Sequence, residues 1–195
     1  MNREIAYWVR KVRFEDESTT MAVMEIITEG DPRLRQKAHK IKGPEPGLKK
    51  VADDMHETMD AAPGVGLAGP QVGIMRRIIV IHLAEDYVEE GSPEIRMTLL
   101  NPEVVKGYGE EVGLEGCLSI PGWVGEVRRM TSITVKAMDL NGRSVRIKAD
   151  DFLARVLQHE IDHLDGILFV DRMDENAKLM ADRDEDEVEA EAVTA

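Results

Sequence analysis

The spacing of apolar residues predicts a helix early in the chain. In residues 46–59, apolar side chains occur at i, i+3, i+4, i+7 and i+11. This spacing places them on one face of an amphipathic helix, whose other face is polar. The apolar positions are Leu48, Val51, Ala52, Met55 and Met59.

Beyond this helix the pattern becomes that of strands. Residues 77–83 form a nearly continuous apolar run, which is typical of a buried strand. Residues 97–112 predict two short strands, because Pro102 and the turn at Gly107 and Gly109 interrupt the pattern. The middle of the chain is therefore expected to form a sheet.

Two further alternating segments, residues 132–139 and 144–148, predict a hairpin. Asn141 and Gly142 lie between them and predict a two-residue turn, because both residue types accept the positive φ angles of such turns.

A second helix is predicted directly after the hairpin. Asp150 or Asp151 can cap its first turn, the helix runs to about Asp165, and Gly166 ends it. Strands and helices are segregated along the chain rather than alternating, so the predicted fold class is α+β.

Composition narrows the class of protein further. The chain has 195 residues, of which 43% are apolar, enough for one hydrophobic core. Its net charge of -13 argues against a protein that coats nucleic acid or an anionic membrane. The longest apolar runs are too short to span a bilayer.

The two ends of the chain differ from its middle. Residues 174–195 carry nine acidic and two basic residues, which predicts a solvated acidic tail, with an interaction tail as the alternative. Residues 1–23 mix charges of both signs and contain no apolar signal region, which predicts a poorly ordered extension. Alternatively, translation starts at Met21 or Met24. The expected catalytic domain is residues 24–173.

The second helix contains the sequence His159-Glu160-Ile161-Asp162-His163, an HExxH pattern. Residues turn by about 100° along a helix, so His159 and His163 lie about 40° apart on one face and can bind the same metal ion. Glu160 lies on the flank, where it can reach a water without being a ligand. The pattern predicts a metal site.

A catalytic site of this kind needs a third protein ligand and an open position. The metzincin pattern requires a histidine where this chain has Phe169, and the acids beyond it lie mostly in the predicted tail. Cys117 is the remaining soft ligand and the only cysteine, which excludes an internal disulfide and fits a reducing compartment. A lone thiol can also be a small buried apolar group or a nucleophile.

A glycine-rich segment, residues 64–71, adds a third candidate feature. Its small residues permit a ligand to approach the backbone closely, and the amide of Gln71 can donate a hydrogen bond. An ordinary glycine-rich turn is the alternative. The segment lacks the Gly-Lys-Ser/Thr of a phosphate-binding loop.

Together, three segments resemble the peptide deformylase family. They read GVGLAGPQ at residues 64–71, EGCLS at 115–119 and QHEIDH at 158–163. The resemblance covers about residues 24–173. It implies antiparallel sheets packed around a central metal-binding helix that carries the HExxH sequence.

The resemblance also implies a role for individual residues. The metal ligands are Cys117, His159 and His163, with Glu160 as general acid and base. Gln71 and the backbone N–H of Leu118 contact the oxyanion.

Two further roles concern residues outside the direct ligand set. The resemblance implies that Arg129 pairs with Glu115 and supports the segment that carries the cysteine. Val65, Phe152 and Val156, with Gly66, are expected to border an apolar pocket for a methionine side chain. The alternative is that they are ordinary core residues.

The implied activity is hydrolysis of the formyl group of N-terminal formylmethionine, with release of formate. Iron(II) is the expected native ion, and zinc, nickel or cobalt are possible. Nascent formylmethionyl peptides are the expected partners, with transient ribosome proximity, a cytoplasmic location, and neither direct nucleic-acid binding nor a membrane. Two alternatives are a zincin-type endopeptidase and a non-catalytic ribosome-associated or metal-binding protein of the same fold.

Overall fold

The computed structural model describes residues 22–88, 91–175 and 177–182. The predicted extension, residues 1–23, lies almost wholly outside these ranges, as does most of the acidic tail. The helices are α1 (Leu48–Ala61) and α2 (Asp151–Leu164). The strands are β1 (Gly66–Ala68), β2 (Ile78–Leu83), β3 (Ile95–Tyr108), β4 (Glu111–Cys117), β5 (Ile120–Arg129), β6 (Ser132–Met138), β7 (Ser144–Asp150) and β8 (Met180–Ala181).

The strands form two antiparallel sheets. The larger has the order β1-β2-β3-β6-β7, and the smaller has the order β4-β5-β8. Helix α2 contacts β1, β2, β3, β6 and β7 of the larger sheet, and its residues Leu157 and Leu164 are fully buried in that core. Helix α1 packs on β1 and β2 through Met55 and Met59. The predicted α+β class, with antiparallel sheets around a central helix, is confirmed.

The expected break at Pro102 is wrong, because β3 continues through it. Asn101 adopts a left-handed conformation with φ of 50°, and the pairing with β6 shifts register between Leu100 and Glu103. The side chain of Asn101 accepts a hydrogen bond from the N–H of Ile41 and donates one to its carbonyl oxygen. A bulge thus accommodates the proline, which has no N–H to pair.

The predicted two-residue turn between β6 and β7 is also wrong. Five residues, Asp139 to Arg143, connect the two strands. The Asp139 carboxylate accepts hydrogen bonds from the backbone N–H groups of Asn141 and Arg143 at 2.9 and 2.8 Å. This Asx-type arrangement stabilises a wider turn than Asn-Gly alone predicts.

Helix α2 begins at once where β7 ends, and neither Asp150 nor Asp151 forms the predicted side-chain cap. Asp151 has a φ of 49°, so the chain reverses there, and Gly166 ends the helix region at a φ of 76°. Helix α1 starts at Leu48, two residues later than predicted.

Two strands were missed and one lies in the predicted tail. Strand β1 is part of the glycine-rich segment, and β5 contains glycines that interrupt its alternation. Strand β8 pairs with β5 at Trp123 and Val124. In the described part of the chain, no helix combines the length and apolarity needed to cross a membrane.

Candidate metal centre

Three potential metal ligands meet where the small sheet faces α2. His159 and His163 lie one turn apart on α2, and their Nε2 atoms are 3.2 Å apart. Cys117 is the last residue of β4, and its Sγ lies 3.2 Å from Nε2 of His163. All three ligand atoms lie within 4.8 Å of one another, so one ion can contact them all.

The geometry fits a divalent metal ion. Tetrahedral ligands at usual bond lengths lie about 3.3 Å apart for two nitrogens and about 3.6 Å apart for nitrogen and sulfur. The two nitrogens, 3.2 Å apart, match the first value, and Cys117 Sγ, 3.2 Å from Nε2 of His163, lies somewhat closer than the second. A thiolate and two imidazoles suit zinc, iron(II), nickel or cobalt.

Glu115 orients one of the two histidines. Its Oε2 accepts a hydrogen bond from Nδ1 of His159 at 2.9 Å, which leaves Nε2 to face the other ligands. Arg129 donates two parallel hydrogen bonds to the same carboxylate, at 2.8 and 2.9 Å. The predicted pair of Glu115 and Arg129 is therefore present and buried.

The charges around these residues shift their protonation. Burial by itself raises the pKa of Glu115. The hydrogen bonds from Arg129 and His159 outweigh this effect and lower the pKa to about 2. Burial also acts against the charged form of His159, yet hydrogen bonds to Cys117 and Glu115 hold its pKa well above the ordinary value. Burial and the neighbouring His159 lower the pKa of His163. Glu115 is thus a fixed anion at neutral pH.

Glu160 lies beside the ligands and is almost fully buried. Among the described residues its Oε2 has no hydrogen-bond partner, and burial raises its pKa to about 7. Its carboxylate lies directly against the backbone of Gly66, where a Cβ would lie 2.4 Å from Oε1. Glycine at residue 66 therefore makes room for this carboxylate.

Gln71 faces the same cluster from the segment after β1. Its Oε1 accepts a hydrogen bond from the N–H of Ala68 at 2.8 Å. Its Nε2 donates to Ser119 Oγ at 3.3 Å and lies 3.6 Å from Cys117 Sγ. This arrangement points the amide N–H groups of Gln71 towards the cysteine.

A cavity of about 490 Å³ opens onto these groups. The predicted residues that line it are Gln71, Glu115, Cys117, Leu118, His159, Glu160, Val65, Gly66, Phe152 and Val156. His163 and Arg129 are buried behind this lining. Tyr87 stacks on Phe152 with ring centroids 5.3 Å apart and extends the apolar wall.

Sequence reasoning missed three polar residues around the centre. Asp162 accepts hydrogen bonds from Arg129 and Arg172, and Arg155 donates one to Glu115 at 3.0 Å. Arg155 precedes His159 by one helical turn, so the helical period could have indicated it. Asp162 and Arg155 on α2 extend the buried ion network around Glu115 and Arg129, and Arg172 closes it from a partly exposed position.

A half-buried cysteine and two histidines beside an unpaired carboxylate, open to a cavity, define the class of metal-dependent hydrolases. A sequence profile of the polypeptide deformylase family matches residues 23–179. Over 174 residues the chain is 59% identical to a peptide deformylase of Thermomicrobium roseum, covering 89% of this chain and 99% of that protein. The chain belongs to the polypeptide deformylase family.

Solved structures agree with this assignment. A peptide deformylase from Ehrlichia chaffeensis in complex with actinonin has a TM-score of 0.74 and 37% identity, over 80% of this chain and 91% of that one. A class I type b peptide deformylase from Acinetobacter baumannii with bound Met-Ala-Ser has a TM-score of 0.72 and 36% identity, over 78% of this chain and 99% of that one.

Proposed function

We propose that this chain removes the formyl group from N-terminal formylmethionine of newly made polypeptides and releases formate. The observation that carries the proposal is the convergence of Cys117, His159 and His163 beside the buried carboxylate of Glu160, at the floor of a cavity. The catalytic domain comprises residues 24–173, with an N-terminal extension and an acidic tail outside it.

Cys117, His159 and His163 hold one divalent ion, which is iron(II) in the native enzyme and which zinc, nickel or cobalt can replace. When bound, the ion supplies Lewis acidity, which makes water a better nucleophile and polarises a carbonyl group.

Glu160 moves the proton. It accepts a proton from the water whose oxygen bonds to the formyl carbon, and it donates that proton to the amine nitrogen as the carbon–nitrogen bond breaks. Its pKa of about 7, raised by burial, suits both directions of transfer. The cavity wall and Gly66 keep the carboxylate in one place.

Gln71 and the backbone N–H of Leu118 stabilise the negative charge that develops on the formyl oxygen. One such donor contributes about 3 kcal/mol in comparable oxyanion sites. Gln71 is held in place by its hydrogen bond from Ala68, so the donor needs little reorganisation when the charge forms.

Val65, Phe152 and Val156 bind the methionine side chain, with Gly66 beside them. All four line the cavity next to Glu160. The relative from Acinetobacter baumannii with bound Met-Ala-Ser supports a pocket of this kind. The enzyme acts in the cytoplasm on nascent chains, with transient proximity to the ribosome, and does not bind nucleic acid directly.

The test is incubation of the metal-loaded protein with formyl-Met-Ala-Ser and with an unformylated peptide. Formate and one new amine per formate are expected, and Glu160→Ala is expected to abolish both. Internal cleavage would support the endopeptidase alternative, and no product from the loaded wild type would support the non-catalytic one.

The native ion is tested separately by metal analysis and activity of anaerobic and aerobic preparations. Iron with oxygen-sensitive activity is expected. Full activity with zinc alone, insensitive to oxygen, would refute an iron requirement.

A further inference from the structure

Arg155 lies on α2 one turn before His159 and reaches the same carboxylate. Its Nη1 donates to Glu115 Oε1 at 3.0 Å, while His159 Nδ1 contacts Glu115 Oε2 at 2.9 Å. Helix α2 therefore holds Glu115 at both oxygens, through two side chains spaced at i and i+4.

The same guanidinium also binds the backbone of the small sheet. Its Nη1 lies 3.0 Å from the carbonyl oxygen of Val127 and 3.4 Å from that of Gly113. Its Nη2 donates to the carbonyl oxygen of Glu111 at 3.2 Å. Glu111 and Gly113 belong to β4, the edge strand that ends at Cys117. Arg155 thus connects the helix that carries both histidines to the strand that carries the cysteine.

Gly113 provides a second, independent observation. A Cβ at this residue would lie 2.8 Å from Nη2 and 3.0 Å from Cζ of Arg155. A residue with a side chain would displace the guanidinium, so the bare backbone of Gly113 is what admits it. The fit between an arginine on α2 and a glycine on β4 joins the two elements at one place.

We propose that Arg155 is a positioning residue for the metal centre, which sets the distance between Cys117 and the two histidines and fixes the carboxylate that orients His159. This inference rests on the proposed metal ligands. Arg129 does not make the same connection, because it lies on β5 and, among the residues that the structure describes, its hydrogen bond to α2 goes to Asp162. The planar guanidinium of arginine carries several N–H groups in fixed directions, so it can donate to several acceptors at once. The ammonium group of lysine does not reproduce this geometry.

Arg155→Met tests the proposal. Metal affinity, measured by competition of Zn²⁺ against a chromophoric chelator, is expected to fall about 10- to 100-fold, the usual loss when a residue that supports a ligand is removed. With Co²⁺, the absorption bands that report the thiolate and the coordination geometry are expected to shift. Arg155→Lys is expected to recover part of the affinity.

The control is Arg76→Met, which removes a half-buried arginine that pairs with Glu45 away from the cluster of Cys117 and the histidines. It is expected to leave zinc affinity and the cobalt spectrum unchanged. If Arg155→Met raises KM without changing either readout, Arg155 contacts substrate instead and the proposal is overturned. A lower melting temperature with unchanged metal affinity would overturn it as well, because the role would then be structural only.

Gly113→Ala provides a second route that keeps the arginine. As a single substitution, Gly113→Ala is expected to weaken zinc binding. In an Arg155→Met background it is expected to cause little further loss of zinc affinity, because the contact is already absent. Equal effects of Gly113→Ala in both backgrounds would contradict the proposed contact.

Failure of the proposed function and failure of the role of Arg155 give different results. If wild-type protein binds no zinc, the proposed function fails. If the wild type binds zinc and hydrolyses formyl-Met-Ala-Ser, and both variants bind zinc as tightly as the wild type, only the role of Arg155 fails.

Discussion

Two histidines of this chain, His159 and His82, contact the same types of side chain but differ in how deeply their partners are buried. His159 Nδ1 contacts Glu115, which also pairs with Arg129. His82 Nδ1 contacts Asp60 at 2.9 Å, and Asp60 also pairs with Arg96 at 2.9 Å. Each imidazole is thus oriented by a carboxylate that an arginine stabilises.

The difference lies in burial and in the second ring nitrogen. Nε2 of His159 faces His163 within a buried cluster, whereas Nε2 of His82 lies 3.3 Å from Glu94 at the surface. The side chain of Glu115 is 4% exposed, and that of Asp60 is 39% exposed. A carboxylate next to a histidine therefore orients the ring, but further potential ligands on the other side of the ring distinguish the candidate metal centre.

The largest contrast is expected from removing each histidine. His159→Ala should lower metal affinity by more than roughly 100-fold, the upper end of the loss expected when a residue that hydrogen-bonds to a ligand is removed. It should also abolish deformylation. His82→Ala should leave both unchanged. Chelator competition and formate release measure the two effects, and an equal loss in the two variants would break the contrast.

The two carboxylates should differ in what they contribute to folding. Glu115→Ala leaves Arg129 buried with half of its partners, so we expect about 3 kcal/mol lower free energy of unfolding. Asp60→Ala removes a largely exposed pair and should cost less than about 1 kcal/mol. Urea denaturation of the metal-free proteins measures both, and similar midpoints would contradict the difference in burial.

The contact between Gly66 and the buried Glu160 carboxylate should not tolerate even one additional carbon atom. Gly66→Ala forces the Glu160 carboxylate away from β1, and a displacement of about 1 Å can lower kcat about 100-fold. Gly43→Ala is the matched control, because nothing lies within 4 Å of its Cβ position. Steady-state kinetics on formyl-Met-Ala-Ser should show the loss in kcat for the first variant alone.

The smallest effect concerns pH. The hydrogen bond to Asp60 raises the pKa of His82, although partial burial lowers it. A raised pKa in the folded state stabilises the protein fully below the unfolded value near 6.5, and this contribution is lost as pH rises through the folded value. We expect less than about 1 kcal/mol. His82→Gln should remove this component of the stability profile above about pH 6.5, and an unaltered profile would exclude it.

Periodicity predicted the helices well, because a helix is held by contacts between residues close in sequence. It located α1 and α2 within a few residues and set His159 and His163 on one face. It failed for β3, where a bulge at Asn101 keeps the strand whole through Pro102. It also missed β5, whose pairing with β4 depends on a neighbouring strand more than on its own alternation.

In the candidate site, too, local sequence spacing predicts some features and long-range contacts decide the others. The sequence by itself determined the two histidines with Glu160 between them, because i and i+4 spacing on a helix brings side chains together in any fold. Two further short segments, residues 64–71 and 115–119, pointed to Gln71, Glu115 and Cys117. Only the tertiary structure decided that Cys117 meets the histidines, that Gly66 makes room for Glu160, and that Arg155 reaches Glu115 and β4. Most of these contacts join residues more than 40 positions apart, and chain folding, not local spacing, brings such residues together.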